Sequence, residues 1–360
     1  MFAAEYLTLT PAGLYCSAGD FYIDPLRAVP RALITHGHSD HARAGHDKVL
    51  ATPDTLAIMA IRYGPGFAHS IQPLAYNELI RLGGVEVSLH PAGHILGSAQ
   101  ILLSFGSKDS GSKDSGGKRI VVSGDYKRQS DPTCAPFEPV QCDCFITEAT
   151  FGLPVFRHPD PVAEIGKLLT SLQVFPERCH IVGAYSLGKA QRVLALLRAA
   201  GYDRPIYLHG SLVELTNYYA GTGLAFGDLR PLAAANLPKL GGEITLCPPM
   251  ALESLALRGD TEPRKIFASG WMRVRARARQ RGIELPLVIS DHADWDGLCQ
   301  SVIESGCHEL LVTHGESDAL VYWAQKRGIA AAPLHLMGYG HEDVEGATGD
   351  QAEGPAEATR

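Results

Sequence analysis

The segment RALITHGHSDHARAGH constrains this chain more than any other, because His36, His38, Asp40 and His41 place four metal-donor side chains within six residues. An extended segment sends alternate side chains to one side, so His36 and His38 are expected to face one cation. The turn that follows brings Asp40 and His41 to a neighbouring position. A single histidine there carries little information. Imidazole and carboxylate at HxHxDH spacing read as a hydrolase metal centre.

Further donors recur at expected strand ends. His94 lies in HPAGHILGSAQ, Asp125 ends RIVVSGD and His314 ends ELLVTH. Taken singly, each is equally a structural residue. With the first cluster they make seven donors, enough for two divalent metal ions with shared and open positions. Zn²⁺ and Mn²⁺ both suit such donors. Glu148 ends CFITE, and His292 follows PLVIS in SDHAD. A carboxylate beside a histidine can fix its tautomer for proton transfer. His292 reads equally as another ligand or a helix cap.

The rest of the chain shows how such residues could converge. Short strands are expected at Leu33–Thr35, Glu86–Leu89, Ala99–Phe105 and Arg119–Val122, and a helix over Pro53–Tyr63. From about Pro154 to Leu285 helices and buried strands alternate, which predicts an α/β unit with parallel strands. Residues 106–117, GSKDSGSKDSGG, read as a long hairpin loop, and Glu342–Arg360 as a disordered tail. The eight cysteines form no CxxC pair and are expected to be reduced thiols. Cys142 and Cys144 suit packing at a strand start better than a thiolate site. No apolar run reaches membrane-spanning length and the first residues lack a signal-peptide pattern, so a cytoplasmic enzyme with no membrane partner is expected.

Net charge is −7, from 32 basic and 39 acidic residues, so any polyanion must meet a local basic patch. WMRVRARARQR offers Arg273, Arg275, Arg277, Arg279 and Arg281 next to Trp271. In SLGKAQR, Ser186, Lys189 and Arg192 fall at an expected helix start, where a phosphate can bind or where they simply cap and solvate it. Lys127 and Arg128 follow Asp125 closely.

The motifs THGHSDHARAGH, HPAGHILGSAQI, SGDYKRQSDP, TEATFG, SDHADWDG and THGE together resemble the metallo-β-lactamase fold nucleases of the β-CASP group. They are most similar to the bacterial ligase-associated DNA exonuclease family. HxHxDH alone marks the broad fold; TEATFG, SDHAD and THGE narrow the resemblance to nucleases. It implies an α/β metallo-β-lactamase αββα sandwich (1–153 and 286–341) with a compact inserted β-CASP domain (154–285). It also implies that His36, His38, His94 and Asp125 bind one metal. Asp40, His41, Asp125 and His314 bind the second, with Asp125 bridging. Glu148, His292 and His314 match the three β-CASP motifs. The implied function is DNA phosphodiester hydrolysis in repair, by a two-metal-activated water, with Asp40, Glu148 and His292 in the catalytic machinery and His292 as general acid. DNA ligase and helicase partners are implied by the family alone. The alternatives are an RNA-processing nuclease, a small-molecule metallohydrolase and an inactive partner subunit.

Overall fold

Thr52 accepts from the Thr55 backbone N–H and Pro53 occupies the first turn, so α1 runs Pro53–Tyr63 as the sequence predicts. The computed structural model describes residues 2–106, 117–232, 240–257 and 262–335. Most of the GSKDS repeat (107–116) and all of the acidic tail lie outside the described residues.

A first sheet holds β1 (Leu7–Thr10), β2 (Gly13–Cys16), β3 (Phe21–Ile23), β4 (Arg31–Leu33), β5 (His46–Ala51) and β6 (Ala68–Pro73), in that order. Next come β7 (Leu79–Leu82), β8 (Val85–Pro91), β9 (Ala99–Phe105), β10 (Lys118–Val122) and β11 (Cys144–Ala149). The chain then leaves for a separate sheet with α2 (Pro161–Val174), β12 (His180–Gly183), α3 (Lys189–Ala199), β13 (Ile206–Leu208), α4 (Gly210–Gly221) and β14 (Leu229–Pro231). That sheet continues with β15 (Ile244–Cys247), α5 (Ala251–Ala256), β16 (Arg264–Ala268), α6 (Arg275–Gln280) and β17 (Leu285–Leu287). After α7 (Trp295–Ser305) the chain returns to the second sheet as β18 (Glu309–Gly315), α8 (Ser317–Gln325) and β19 (Ala330–Pro333).

The second sheet has the order β19-β18-β11-β10-β9-β8-β7. Strands β10, β11, β18 and β19 are parallel to one another, and β7 to β10 are antiparallel. The third sheet, β14-β13-β15-β12-β16-β17, is parallel throughout. Its strands are short apolar runs such as HIVG, buried at all four residues.

One core joins the first two sheets: Leu14, Phe21 and Leu33 pack with Val87, Ile101, Ile120 and Ile146. Each such side chain contributes roughly 1.5–3 kcal/mol by leaving water. Helix α1 covers the first sheet through Leu56 and Met59. Helices α7 and α8 cover the second through Leu298, Val302 and Leu320. The third sheet's core reaches out to include Ile58 of α1 and Ile95. Tyr218 Oη donates to Asp54 at 2.8 Å, and Leu96 N donates to Tyr219 Oη at 3.2 Å. The third sheet is therefore anchored beside the loop that carries His94. No described helix is long and apolar enough to cross a membrane.

Cys142 packs in the core beneath α7 and Cys144 in the core between the sheets. Burial pushes the Cys142 thiol up to about 12. Both cysteines are packing residues at the start of β11.

Candidate metal centre

The HGHSDH motif follows β4, which ends at Leu33, two residues before the expected strand end. The motif is a loop closed by a turn, with His41 N and Ala42 N both donating to His38 O. Tight packing, not strand alternation, aims the rings. A side chain at Gly37 would meet Ile58 Cγ2 at 2.6 Å, and Arg62 Nη1 donates to Gly37 O at 2.7 Å.

Each histidine is held from behind, which decides the nitrogen it presents. His38 Nε2 donates to Leu187 O at 3.2 Å, leaving Nδ1 inward, 3.0 Å from His94 Nε2. His94 Nδ1 donates to Asp291 O at 2.7 Å. His41 Nδ1 faces Asp24 Oδ2 at 2.8 Å. His36 Nδ1 lies 3.1 Å from Thr35 Oγ1, and His314 Nδ1 lies 2.7 Å from Thr313 Oγ1.

The inward atoms converge. His36, His38, His94 and Asp125 each offer a donor atom, all within 4.8 Å of one another. Asp125 Oδ2 is 3.5 Å from His36 Nε2, 3.5 Å from His41 Nε2 and 3.8 Å from His94 Nε2. Asp40 Oδ2 is 3.8 Å from His41 Nε2, and the His314 ring stands 5.3 Å from the His41 ring. Four of the seven expected donors thus converge on one point, His41 adjoins them through Asp125, and Asp40 and His314 stand beside His41.

Charge and protonation fit a divalent cation. His36 Nε2 is buried with no hydrogen-bond partner among the described residues. Burial, then neighbouring imidazoles, push His36 and His94 well below the usual histidine range, so their lone pairs stay free to donate. Burial pulls His41 down, but Asp125, Asp40 and Asp24 outweigh it and raise the ring to about 10. Burial likewise raises Asp125, to about 7. Without an ion His41 and Asp125 hold protons, which a bound divalent cation would have to replace.

Glu148 and His292 sit beside this set. Glu148 Oε2 and Oε1 lie 2.9 Å and 3.0 Å from His292 Nδ1. Glu148 also accepts from Tyr126 N at 2.8 Å and Thr150 N at 3.4 Å. The His292 ring is 4.7 Å from the His94 ring. Asp125, Glu148 and His292 could themselves hold a cation. Glu148, however, is already engaged by His292 and two backbone N–H groups, which suits it to orienting the ring. The cap of α7 is Asp294, which accepts from Gly297 N, so His292 is not the helix cap.

Four of the expected nucleic-acid contacts require correction. Lys127, Lys189 and Arg192 are at most 1% exposed, because each turns inward to Asp131 or Asp291 instead of to solvent. Trp271 is 6% exposed, packed on Phe151 and Phe156 with Arg277 3.9 Å above its ring, and offers no stacking face to a base. Arg128 is paired with Glu304 at 2.7 Å. Ser186 is partly exposed, and its carbonyl accepts from Gln191 Nε2. Arg273, Arg275, Arg279 and Arg281 are exposed, and Arg277 is half-buried.

Asp24 belongs to the site yet stood in no motif, whereas Leu187 in SLGKAQR and Asp291 in SDHAD lay inside motifs without being singled out. The one local signal is at Asp24, whose φ of 43° is rare for a side-chain-bearing residue, as is the 45° of His314.

No family model matches the chain. Over 328 residues, 89% of its length, it is 29% identical to a probable DNA ligase of Opitutus terrae, of which it spans 30%. It is 28% identical over 156 residues, 42% of its length, to the endoribonuclease ysh1 of Aspergillus fumigatus, of which it spans 16%. Over 54% of this chain and 50% of the other, it is 25% identical to an RNase J-like protein of Methanocaldococcus jannaschii. These relatives support the resemblance to the metallo-β-lactamase fold nucleases of the β-CASP group. The chain covers half or less of the length of the three relatives named here. A solved Enterococcus faecalis protein of unknown function shares the fold at a TM-score of 0.50 and 14% identity, over 78% of this chain and 74% of that one.

Proposed function

We propose that this chain is a metal-dependent nuclease that hydrolyses DNA phosphodiesters as a repair exonuclease. The observation that carries the reading is the His292–Glu148 pair, at 2.9 Å, set beside the convergent metal donors. The two sheets with helices on both outer faces form the αββα sandwich, and residues 154–285 the β-CASP insertion. His36, His38, His94 and Asp125 would hold one divalent ion, and Asp40, His41, Asp125 and His314 the other, as Zn²⁺ or Mn²⁺. When bound, two such ions neutralise phosphodiester charge and acidify a water.

The chain's own residues supply the remaining chemistry. Glu148 fixes the His292 ring through Nδ1, and Nε2 protonates the departing oxygen. Phe151, whose ring lies 6.1 Å from that of His292, limits water on one side. Arg273 and Arg275, both exposed, attract the substrate backbone.

DNA is favoured by the long match to a protein named as a probable DNA ligase. The same match supports action alongside a ligase; a helicase partner rests on family resemblance. RNA is the second reading, favoured by the relatives named as ribonucleases. End-labelled single- and double-stranded DNA and RNA, digested with Zn²⁺, with Mn²⁺ and with chelator, test both readings. A chelator-sensitive ladder of shortened DNA is expected. Cleavage confined to RNA overturns the substrate assignment, and chelator-resistant cleavage overturns the metal-dependent one.

A further inference from the structure

Five charged side chains fill the space between the start of α3 and the His94 loop. Lys189 Nζ is 2.9 Å from Asp291 Oδ2. Arg192 lies 3.5 Å from both Asp291 and Asp131 and donates to Ser290 O. Lys127 Nζ is 2.5 Å from Asp131 Oδ2, and it donates to His94 O at 3.1 Å. None of the five is more than 9% exposed.

Such a network is a poor device for stability alone. Burying each ion costs several kcal/mol, and packed apolar side chains commonly do as well or better. An apolar core already joins the third sheet to Ile58 and Ile95. What the ions add is position. Asp291, gripped through its carboxylate by Lys189 and Arg192, presents the carbonyl that accepts from His94 Nδ1 at 2.7 Å. Leu187, two residues before Lys189, presents the carbonyl that accepts from His38 Nε2 at 3.2 Å. Between them Gly188, at φ 85°, lets the chain pass where a side chain would collide with Ile95.

We infer that Lys189 and Arg192 are positioning residues of the metal centre: the buried ion network makes metal affinity at His36, His38 and His94 depend on the third-sheet segment. The group formed by Asp40, His41 and His314 draws its support from Asp24 and Thr313 and is not set by the network. This inference rests on the reading of the seven donors as a metal centre.

Titrating the metal-free full chain with Zn²⁺ alone tests it, with Co²⁺ spectra to identify the weakened position against His36→Ala and His314→Ala. Lys189→Met keeps bulk and removes the charge. It should weaken one of two Zn²⁺ sites by about 10–100-fold, the usual effect of losing an outer partner. The other site should be unchanged, and Lys189→Arg should restore most of the loss. If Lys189→Met does not fold, Asp131→Asn, which releases Lys127 and Arg192, is read the same way. Wild-type affinity at both sites overturns the inference, and so does an equal loss at both, which marks general loosening. A wild-type chain that binds no Zn²⁺ overturns the metal-centre reading itself.

Discussion

The two groups of donors are built on different supports. His36, His38 and His94 are at most 3% exposed, and two of them lean on carbonyls supplied by Leu187 and Asp291, beside α3 and beyond β17. His41 leans on Asp24, next to β3, and His314 on its own neighbour Thr313. The Asp40 side chain is 20% exposed. One group therefore depends on the third-sheet segment docking correctly. The other is carried by the first two sheets and stands nearer to solvent. Asp125 Oδ2 stands within 3.8 Å of donors from both groups.

The largest effect should come from Asp125. Asp125→Ala should cost both bound metals and more than about 100-fold in turnover, since a ligand should matter more than the outer partners that tune it. Metal analysis showing one ion retained at full affinity would show that the two groups do not share this residue. His292→Ala should bind both metals as before and lose about 10²–10⁴-fold in turnover on a phosphodiester. Loss of an ion in that variant would move His292 into the ligand set.

Asp24→Asn tests the second group. Thr35 N donates to Asp24 Oδ1 at 2.8 Å, a bond an amide oxygen keeps. An amide nitrogen in place of Oδ2 cannot accept from His41 Nδ1. Affinity at the Asp40–His41–His314 position should fall about 10–100-fold, with the other position unaffected, as read by Zn²⁺ titration. Equal weakening at both would erase the distinction between the supports.

The ion network adds a pH signature. Burial would raise Asp131, but Lys127 and Arg192 outweigh it and lower it from 3.8 to about 2. A depressed folded pKa stabilises the native state above the unfolded value and loses that contribution as pH falls through the folded one. About 2 kcal/mol should therefore disappear between pH 4 and 2. The gap in melting temperature between wild type and Asp131→Asn should narrow across that window; a constant gap would contradict the pairing.

The smallest effect is expected at the exposed arginines. Arg275→Ala should weaken oligonucleotide binding several-fold at low salt and lower the slope of log affinity against log salt by about 1. An unchanged slope would place the substrate backbone elsewhere.

Much of the site was legible in residue types alone. Donor identity follows from chemistry, so His36, His38, Asp40, His41, His94, Asp125 and His314 stand out before any fold is known, and His292 with Glu148 follows from the strands that end near them. Apolar runs and a capped proline likewise marked α1 and β9. What the chain order could not show is which polar groups stand behind the donors. Asp24 lies 17 residues from His41, Leu187 149 from His38 and Asp291 197 from His94.

The same reason explains the corrected basic residues. Lys189 and Arg192 look like a phosphate-binding helix start because sequence reports charge without direction. Only packing brought Asp131 and Asp291 to meet them and turned cations that suit a ligand into buried ties. The sequence by itself determined which atoms can bind metal and move a proton. The tertiary structure decided which nitrogen each histidine presents and which charges remain available to a substrate. Both depend on partners that only long-range folding brings within hydrogen-bond distance.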